Sequence, residues 1–245
     1  VKKVSVLILT FNRLQITEAL VPQIIDRIGS INAEVLIWDN GSEDGTYDWL
    51  ESYGIADCRV TKVFGSDKNY GVEAINFLAE EATGEYIVKI DDDILPPNRF
   101  AELLVRVYES VNEPKLAYLA WDMPWRENSF ALRSGRKLYS EPNGKTVAPR
   151  GLAGEVLISY DSYPWLVNGA CRLSPRRLFL DLGGHPEGVV YGVDYLVTKR
   201  AKKKGYWIGF YSAPELIAHK GTIDSSEYRK MKDQLLELHG APRHV

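Results

Sequence analysis

A chain of 245 residues, 45% hydrophobic and 26% charged, has the ordinary balance of a globular protein and enough length for a sizeable core in one or two domains. A net charge of -3 argues against nucleic acid as the main partner, and no apolar run approaches the roughly 18 residues of a membrane span. Two cysteines, Cys58 and Cys171, make neither a disulfide framework nor a zinc pattern; with no apolar signal segment after Val1-Lys2-Lys3, they fit a reducing, cytoplasmic setting.

Taken in order, Val4-Ser5-Val6-Leu7-Ile8-Leu9 is a nearly continuous apolar run, as expected of a strand buried on both faces. It ends at the polar turn Thr10-Phe11-Asn12-Arg13. Residues 14–28 predict a helix, with Ile16, Leu20, Ile24 and Ile28 at a spacing of four and Pro22 expected to kink or divide it. A second strand over 34–38 runs into Asp39-Asn40-Gly41-Ser42-Glu43-Asp44-Gly45-Thr46, a turn cluster opening a helix over 46–53 with Asp44 or Thr46 as its cap. A third strand over 59–64 leads to Lys68-Asn69-Tyr70-Gly71 and a helix over 72–82. A fourth, over 86–90, delivers Asp91-Asp92-Asp93 to a turn closed by Pro96-Pro97.

Strands alternating with helices predict an α/β fold with a mostly parallel central sheet and right-handed crossovers. Such sheets bind ligands beyond the carboxyl ends of their strands. The four polar turns at 10–13, 39–42, 68–71 and 91–93 therefore belong on one edge. Each alone is an ordinary turn or helix entry; together they predict a nucleotide site. Three adjacent carboxylates repel one another unless a cation neutralises them, and oxygen ligands at a strand end suit Mg2+ or Mn2+.

The second half is less regular. A helix over 98–111 and a strand over 116–121 are followed by a Gly/Pro-rich stretch over 122–163, with a hairpin proposed from 137–140 and 156–160. A strand over 165–173 is expected to return towards the centre of the sheet. Trp165, Asn168 and Gly169 on it are candidates for contact with a sugar, glycine and its small neighbours letting a ring approach the backbone. Ser174 and Pro175 predict the start of a helix that ends at Gly183-Gly184. His185 reads as a surface loop residue. Another helix opens at Tyr191-Gly192-Val193-Asp194, its outer end carrying the cations of 199–204. A last strand over 207–211, His219, and a C-terminal amphipathic helix over 227–239 complete the chain.

In the order of these motifs the chain resembles the nucleotide-sugar-dependent glycosyltransferases of family 2, which have the GT-A fold. The resemblance rests on Thr10-Phe11-Asn12-Arg13, the run from Asp39 to Thr46, Asn69-Tyr70-Gly71-Val72, and Asp91-Asp92-Asp93 with Pro96-Pro97. It continues, more loosely, in Val167-Asn168-Gly169-Ala170-Cys171, Leu182-Gly183-Gly184 and Tyr191-Gly192-Val193-Asp194. It implies one GT-A domain over 1–245: a donor-binding half over 1–97, an acceptor half over 98–221 and the C-terminal helix.

What the resemblance implies for the site follows residue by residue. Asp39 would hydrogen-bond the base of a UDP- or GDP-sugar, with Thr10, Phe11, Asn12 and Arg13 flanking base and ribose. Asn40, Lys68, Asn69, Gly71 and Asp92 would complete the donor site. Asp91 and Asp93 correspond to the ends of the family's Asp-X-Asp metal motif, with His219 as a third ligand to Mn2+ or Mg2+. Asp194 corresponds to the general base of an inverting transfer to a hydroxyl on a glycan, a lipid-linked carrier or a small molecule. The glutamate that usually precedes that aspartate is replaced by Val193. The inner face of a membrane is compatible with the cytoplasmic location. A nucleotidyltransferase and a non-catalytic nucleotide- or sugar-binding module are the alternatives; the first usually carries a glycine-rich loop after the first strand, where 10–13 has no glycine.

Overall fold

The computed structural model describes residues 2–122, 143–160, 169–189, 192–213 and 218–220, the last three mainly through their backbone. Its frame is a nine-stranded sheet in the order β3-β2-β1-β4-β9-β6-β10-β8-β7. The first four strands are β1 (Val4–Thr10), β2 (Ala33–Asp39), β3 (Val60–Gly65) and β4 (Tyr86–Asp91), all parallel. The apolar run of β1 is buried on both faces because β2 and β4 flank it and helices cover it.

Helix α1 (Leu14–Asp26) links β1 to β2 and buries Thr17, Leu20, Val21, Ile24 and Ile25, with Ile28 buried just beyond its end. Ile16, expected on that stripe, is only half-buried. Pro22 lies inside α1 without dividing it. The carbonyl it leaves without a helical partner belongs to Glu18, an exposed residue, where water can take the missing donor's place. Helix α2 (Thr46–Ala56) leads to β3, and a 3-10 turn (Gly71–Glu73) opens α3 (Ala74–Glu81) before β4. Asp44 caps two helices at once, its carboxylate accepting from Leu14 N at 2.9 Å and Thr46 N at 3.1 Å.

The second half weaves back into the same sheet. After β4 come β5 (Ile94–Leu95), α4 (Phe100–Val111), β6 (Leu116–Trp121), β7 (Gly144–Val147), β8 (Glu155–Ser159) and β9 (Cys171–Pro175). The hairpin pairs β7 with β8, so its first strand lies at 144–147; the expected strand at 137–140 is outside the described residues. β9 does return to the centre, running antiparallel between β4 and β6. Ser174 stays in that strand instead of capping the following helix, its Oγ donating to Ala117 O on β6 at 2.9 Å, and Pro175 takes the N-cap position without a side-chain hydrogen bond. Helix α5 (Arg176–Asp181) then turns at Gly183-Gly184 into α6 (Val193–Lys203), followed by β10 (Trp207–Ser212) beside β6 and the short β11 (Ala218–His219) beside β5. The C-terminal helix expected over 227–239 lies outside the described residues.

The amino edge of the sheet is pinned by Glu34, a buried carboxylate at the start of β2. It accepts from Lys3 Nζ at 2.8 Å, Ser5 Oγ at 2.5 Å and Thr83 N at 2.6 Å. Burial alone would raise its pKa, but these donors together hold it down at about 2.

Candidate active site

The strand order reverses between β1 and β4: β2 and β3 build outwards on one side of β1, while β4 opens the other. That is the switch point at which an α/β sheet leaves a crevice beyond its carboxyl ends. The turn after β1 and the acidic triplet after β4 meet there. Arg13 Nη1 donates to Asp92 Oδ1 at 3.0 Å and to Asp93 Oδ2 at 3.0 Å, so one guanidinium spans the crevice. Arg13 is thus tied to the triplet.

Within the triplet the carboxylates diverge. Asp92 is buried beneath α1, where Thr17 Oγ1 sits 3.5 Å from Oδ2 and Thr10 Oγ1 3.0 Å from Thr17 Oγ1. Burial raises its pKa to about 6 despite Arg13, and Asp93 pushes in the same direction. Asp91 has 39% of its side chain open and contacts Lys89 Nζ. Its pKa is also raised: desolvation leads, Lys89 opposes it, and Asp93 and Asp194 add repulsion. Thr10 and Asp92 therefore brace the floor, while Asp91 is open to the crevice.

The second and third turns form one braced loop. Asp39 is buried at the end of β2, its carboxylate accepting from Ser42 N at 2.8 Å and Ser42 Oγ at 2.5 Å. Asn12 joins the same turn, its N donating to Ser42 Oγ and its Oδ1 accepting from Glu43 N, both at 2.8 Å. Asn40 spends its whole hydrogen-bonding capacity on protein. Nδ2 donates to Asn69 Oδ1 and Gly71 O, at 2.6 and 3.0 Å; Oδ1 accepts from Tyr70 N and Trp38 Nε1, at 3.0 and 3.2 Å. It acts as a brace between the two turns. Gly71 takes φ of +60°, the left-handed conformation that lets its N–H reach Asn69 Oδ1 at 2.7 Å. Lys68 is exposed, its ammonium 4.6 Å from the centroid of the Tyr70 ring, and Phe11 is half-buried at the start of the first turn.

The residues just before β9 close on the triplet from the other side of β4. Lys89 Nζ, buried on β4, reaches Gly169 O at 2.5 Å as well as Asp91. Gly169 N donates to Asp194 Oδ2 at 3.2 Å, and a Cβ at residue 169 would stand 2.9 Å from Asp194 Oδ1. A larger residue there would have to displace that carboxylate. The structure therefore brings together Gly169, Asp194 and Asp91, which lie far apart in sequence. Trp165, Asn168 and Tyr191 lie outside the described residues.

Three buried cationic or imidazole groups here went unrecognised in the sequence. Lys89 stands between Val88 and Ile90, and Arg172 between Cys171 and Leu173, each flanked by buried apolar neighbours in its strand. A charge inside a two-sided buried strand must have a partner, and that was the available signal. His185 is buried at 3% exposure rather than on the surface, because Asn76 clamps its backbone and Phe179, Arg172 and Val72 O lie against its ring.

The donor set suits a divalent cation. Asp91 and Asp93 supply hard oxygen donors from one turn, and the repulsion from Asp93 that adds to burial in raising Asp91 is what a cation would relieve. β11 pairs His219 with Ile94, and Lys220 N donates to Asp93 O at 2.7 Å, which puts the His219 backbone beside the triplet. Among the described residues no three ligating side chains form a ready-made metal cluster, and the His219 side chain lies outside them.

A sequence model of glycosyl transferase family 2 matches residues 5–137, just over half of the chain. The chain belongs to that family. No curated protein matched it. Its fold is that of solved GT-A enzymes. A mannosyltransferase from Pyrobaculum calidifontis, PcManGT, in complex with GDP-Man and Mn2+, superposes with a TM-score of 0.66 at 20% identity over 96% of this chain and 62% of the other. GalNAc-T7 with UDP, GalNAc and Mn2+ gives 0.68 at 16% identity, covering 96% and 48%. S. aureus TarS 1-349 with UDP-GlcNAc gives 0.56 at 19%, covering 96% and 66%. The chain thus spans about half to two thirds of the length of these proteins.

Proposed function

We propose that the chain transfers a sugar from a nucleoside diphosphate sugar, a UDP-sugar before GDP-mannose, to a hydroxyl acceptor with inversion at the sugar carbon. The observation that carries this reading is the junction of Asp194 with the acidic triplet, through Gly169 and Lys89, at the sheet's switch point. Asp194 would accept the acceptor's proton as its oxygen attacks the anomeric carbon and the bond to the diphosphate breaks. Its side chain is 42% exposed, open enough to meet a substrate. Asp39, on its braced turn, would present carboxylate lone pairs to the base, with Phe11 and Asn12 beside it and Lys68 near the loop rim. Asp91 and Asp93, with His219, would hold Mn2+ or Mg2+. Such an ion supplies Lewis-acid stabilisation of the departing diphosphate. Arg13 keeps Asp93 oriented meanwhile.

On this reading residues 1–97 bind the donor and 98–221 face the acceptor, with Trp165 and Asn168 on the acceptor's path, in one GT-A domain. The acceptor classes are a glycan, a lipid-linked sugar or a small molecule. Cys58 and Cys171 are both free thiols, which supports a cytoplasmic setting, the inner face of a membrane included. Among the described residues no helix is long and apolar enough to cross a membrane.

The test is release of nucleoside diphosphate from UDP-glucose, UDP-GlcNAc, UDP-GalNAc and GDP-mannose with Mn2+, against a panel of glycoside acceptors. One donor should turn over and the rate should vanish with chelator. Tight nucleotide binding with no turnover for any pair would favour a binding module instead.

A further inference from the structure

Lys89 and Arg172 stand directly opposite each other across the β4–β9 ladder, both buried. Like charges facing each other in a sheet are destabilising unless each meets an anion. Lys89 meets Asp91. Arg172 lies over the Tyr118 ring, with Cζ 5.2 Å from its centroid, and Nη2 contacts His185 Nε2. That leaves Nη1, which makes no hydrogen bond among the described residues and stands 3.8 Å from Asp194 Oδ1.

His185 is built to hold that guanidinium. Its Nδ1 lies 3.0 Å from Val72 O, a pure acceptor, so Nδ1 carries the proton and Nε2 offers its lone pair to Arg172. Burial, with Arg172 and Lys89 adding to it, drives the ring's pKa well below its usual value and keeps it neutral. Asn76 fixes the backbone on both sides, donating to His185 O at 3.0 Å and accepting from His185 N at 2.8 Å. A series of contacts therefore runs from Val72, beside the donor loop, through His185 and Arg172 to Asp194.

Asp194 sits in the first turn of α6, where a carboxylate is otherwise free to rotate. Gly169 N holds one of its oxygens and Arg172 faces the other. We propose that Arg172, locked by His185, is the positioning residue that orients Asp194 for proton abstraction. This rests on Asp194 being the base. Misplacement of a reacting group by about 1 Å costs around 10²-fold in rate, which sets the scale of the effect.

Two isosteres split the series at His185. Asparagine places its amide near Nδ1 and keeps the Val72 bond; glutamine places its carbonyl near Nε2 and keeps the Arg172 bond. With the donor found above and Mn2+, His185→Asn and Arg172→Lys should each lower kcat about 10–100-fold while UDP affinity stays unchanged. His185→Gln should recover most of the kcat lost in His185→Asn. Neither His185→Asn nor Arg172→Lys should slow Asp194→Asn further. Independently of any substrate, the 15N guanidinium resonance of Arg172 should move in Asp194→Asn.

Equal losses in His185→Asn and His185→Gln overturn the proposal, as do additive losses in the Asp194→Asn background or an unmoved Arg172 resonance. An inactive Asp194→Asn beside a fully active Arg172→Lys overturns the positioning role alone. An Asp194→Asn as fast as the parent overturns the base assignment and the positioning role together.

Discussion

The two ends of the parallel strands β1 to β4 treat their carboxylates in opposite ways. At the amino edge, Glu34 is buried among Lys3, Ser5 and Thr83, and its pKa falls to about 2. At the carboxyl edge, burial raises both Asp91 and Asp92, with Asp93 adding repulsion, although Lys89 and Arg13 lie against them. Each end has cations within reach; at the carboxyl edge burial is the leading cause of the rise and repulsion from Asp93 adds to it, whereas at the amino edge the donors outweigh burial. One carboxylate with several donors knits three chain segments together. Three carboxylates sharing two cations hold charge that folding alone does not compensate. Native proteins retain such unbalanced clusters where function requires them.

The largest effect that would break this contrast concerns turnover. Asp194→Asn keeps the shape and removes the basicity, so kcat should fall about 10²–10⁴-fold. Nucleotide affinity should hold, because Asp39 and the triplet lie on other strands; a comparable loss of affinity would merge two roles that this account separates.

Acid titration sharpens the other end. Glu34 has a folded pKa of about 2 against an unperturbed 4.5, so its contribution is full above the unfolded value and is lost as pH falls towards 2. The shift corresponds to about 3 kcal/mol. Chemical denaturation of the parent should lose stability across that window, and Glu34→Gln should flatten the slope. An unchanged slope would remove Glu34 from the account.

Asn40→Ala should leave Asn69, Gly71 and Tyr70 without their shared partner, at a cost of about 1–3 kcal/mol. Since the braced turn carries the neighbour of Asp39, the donor's KM should rise as stability drops. A stability loss with unaltered KM would confine Asn40 to folding. The smallest effect is expected at Asp44, whose exposed carboxylate caps α1 and α2. Asp44→Ala should lower stability by about 1 kcal/mol and leave kcat alone.

The first half of the fold was legible because its signals are local. Continuous apolar runs marked β1, β2 and β4, and each ended in turn residues at the carboxyl edge, so topology alone gathered them. What the sequence withheld is what depends on long-range pairing. No local pattern says that Cys171–Pro175 inserts antiparallel between β4 and β6, and without that register Lys89 and Arg172 have no reason to face each other. His185 read as a surface loop because its burial comes from Asn76, Phe179 and Arg172 on three other segments. Asn40 shows a related limit. The resemblance placed it in the donor site, and nothing local showed that its side chain makes four hydrogen bonds that hold the loop carrying Asp39.

The central claim is that the unbalanced carboxylates of the donor edge are the metal and diphosphate site, separate from the base on α6. Electron paramagnetic resonance of Mn2+ with UDP tests it most directly, by reporting free and bound ion in the parent, Asp93→Ala and Asp194→Asn. The account predicts Mn2+ bound in the parent and in Asp194→Asn. In Asp93→Ala, affinity should fall by more than the roughly 10–100-fold typical of removing a partner outside the ligand shell. Parental Mn2+ affinity in Asp93→Ala, or its loss in Asp194→Asn alone, would contradict it.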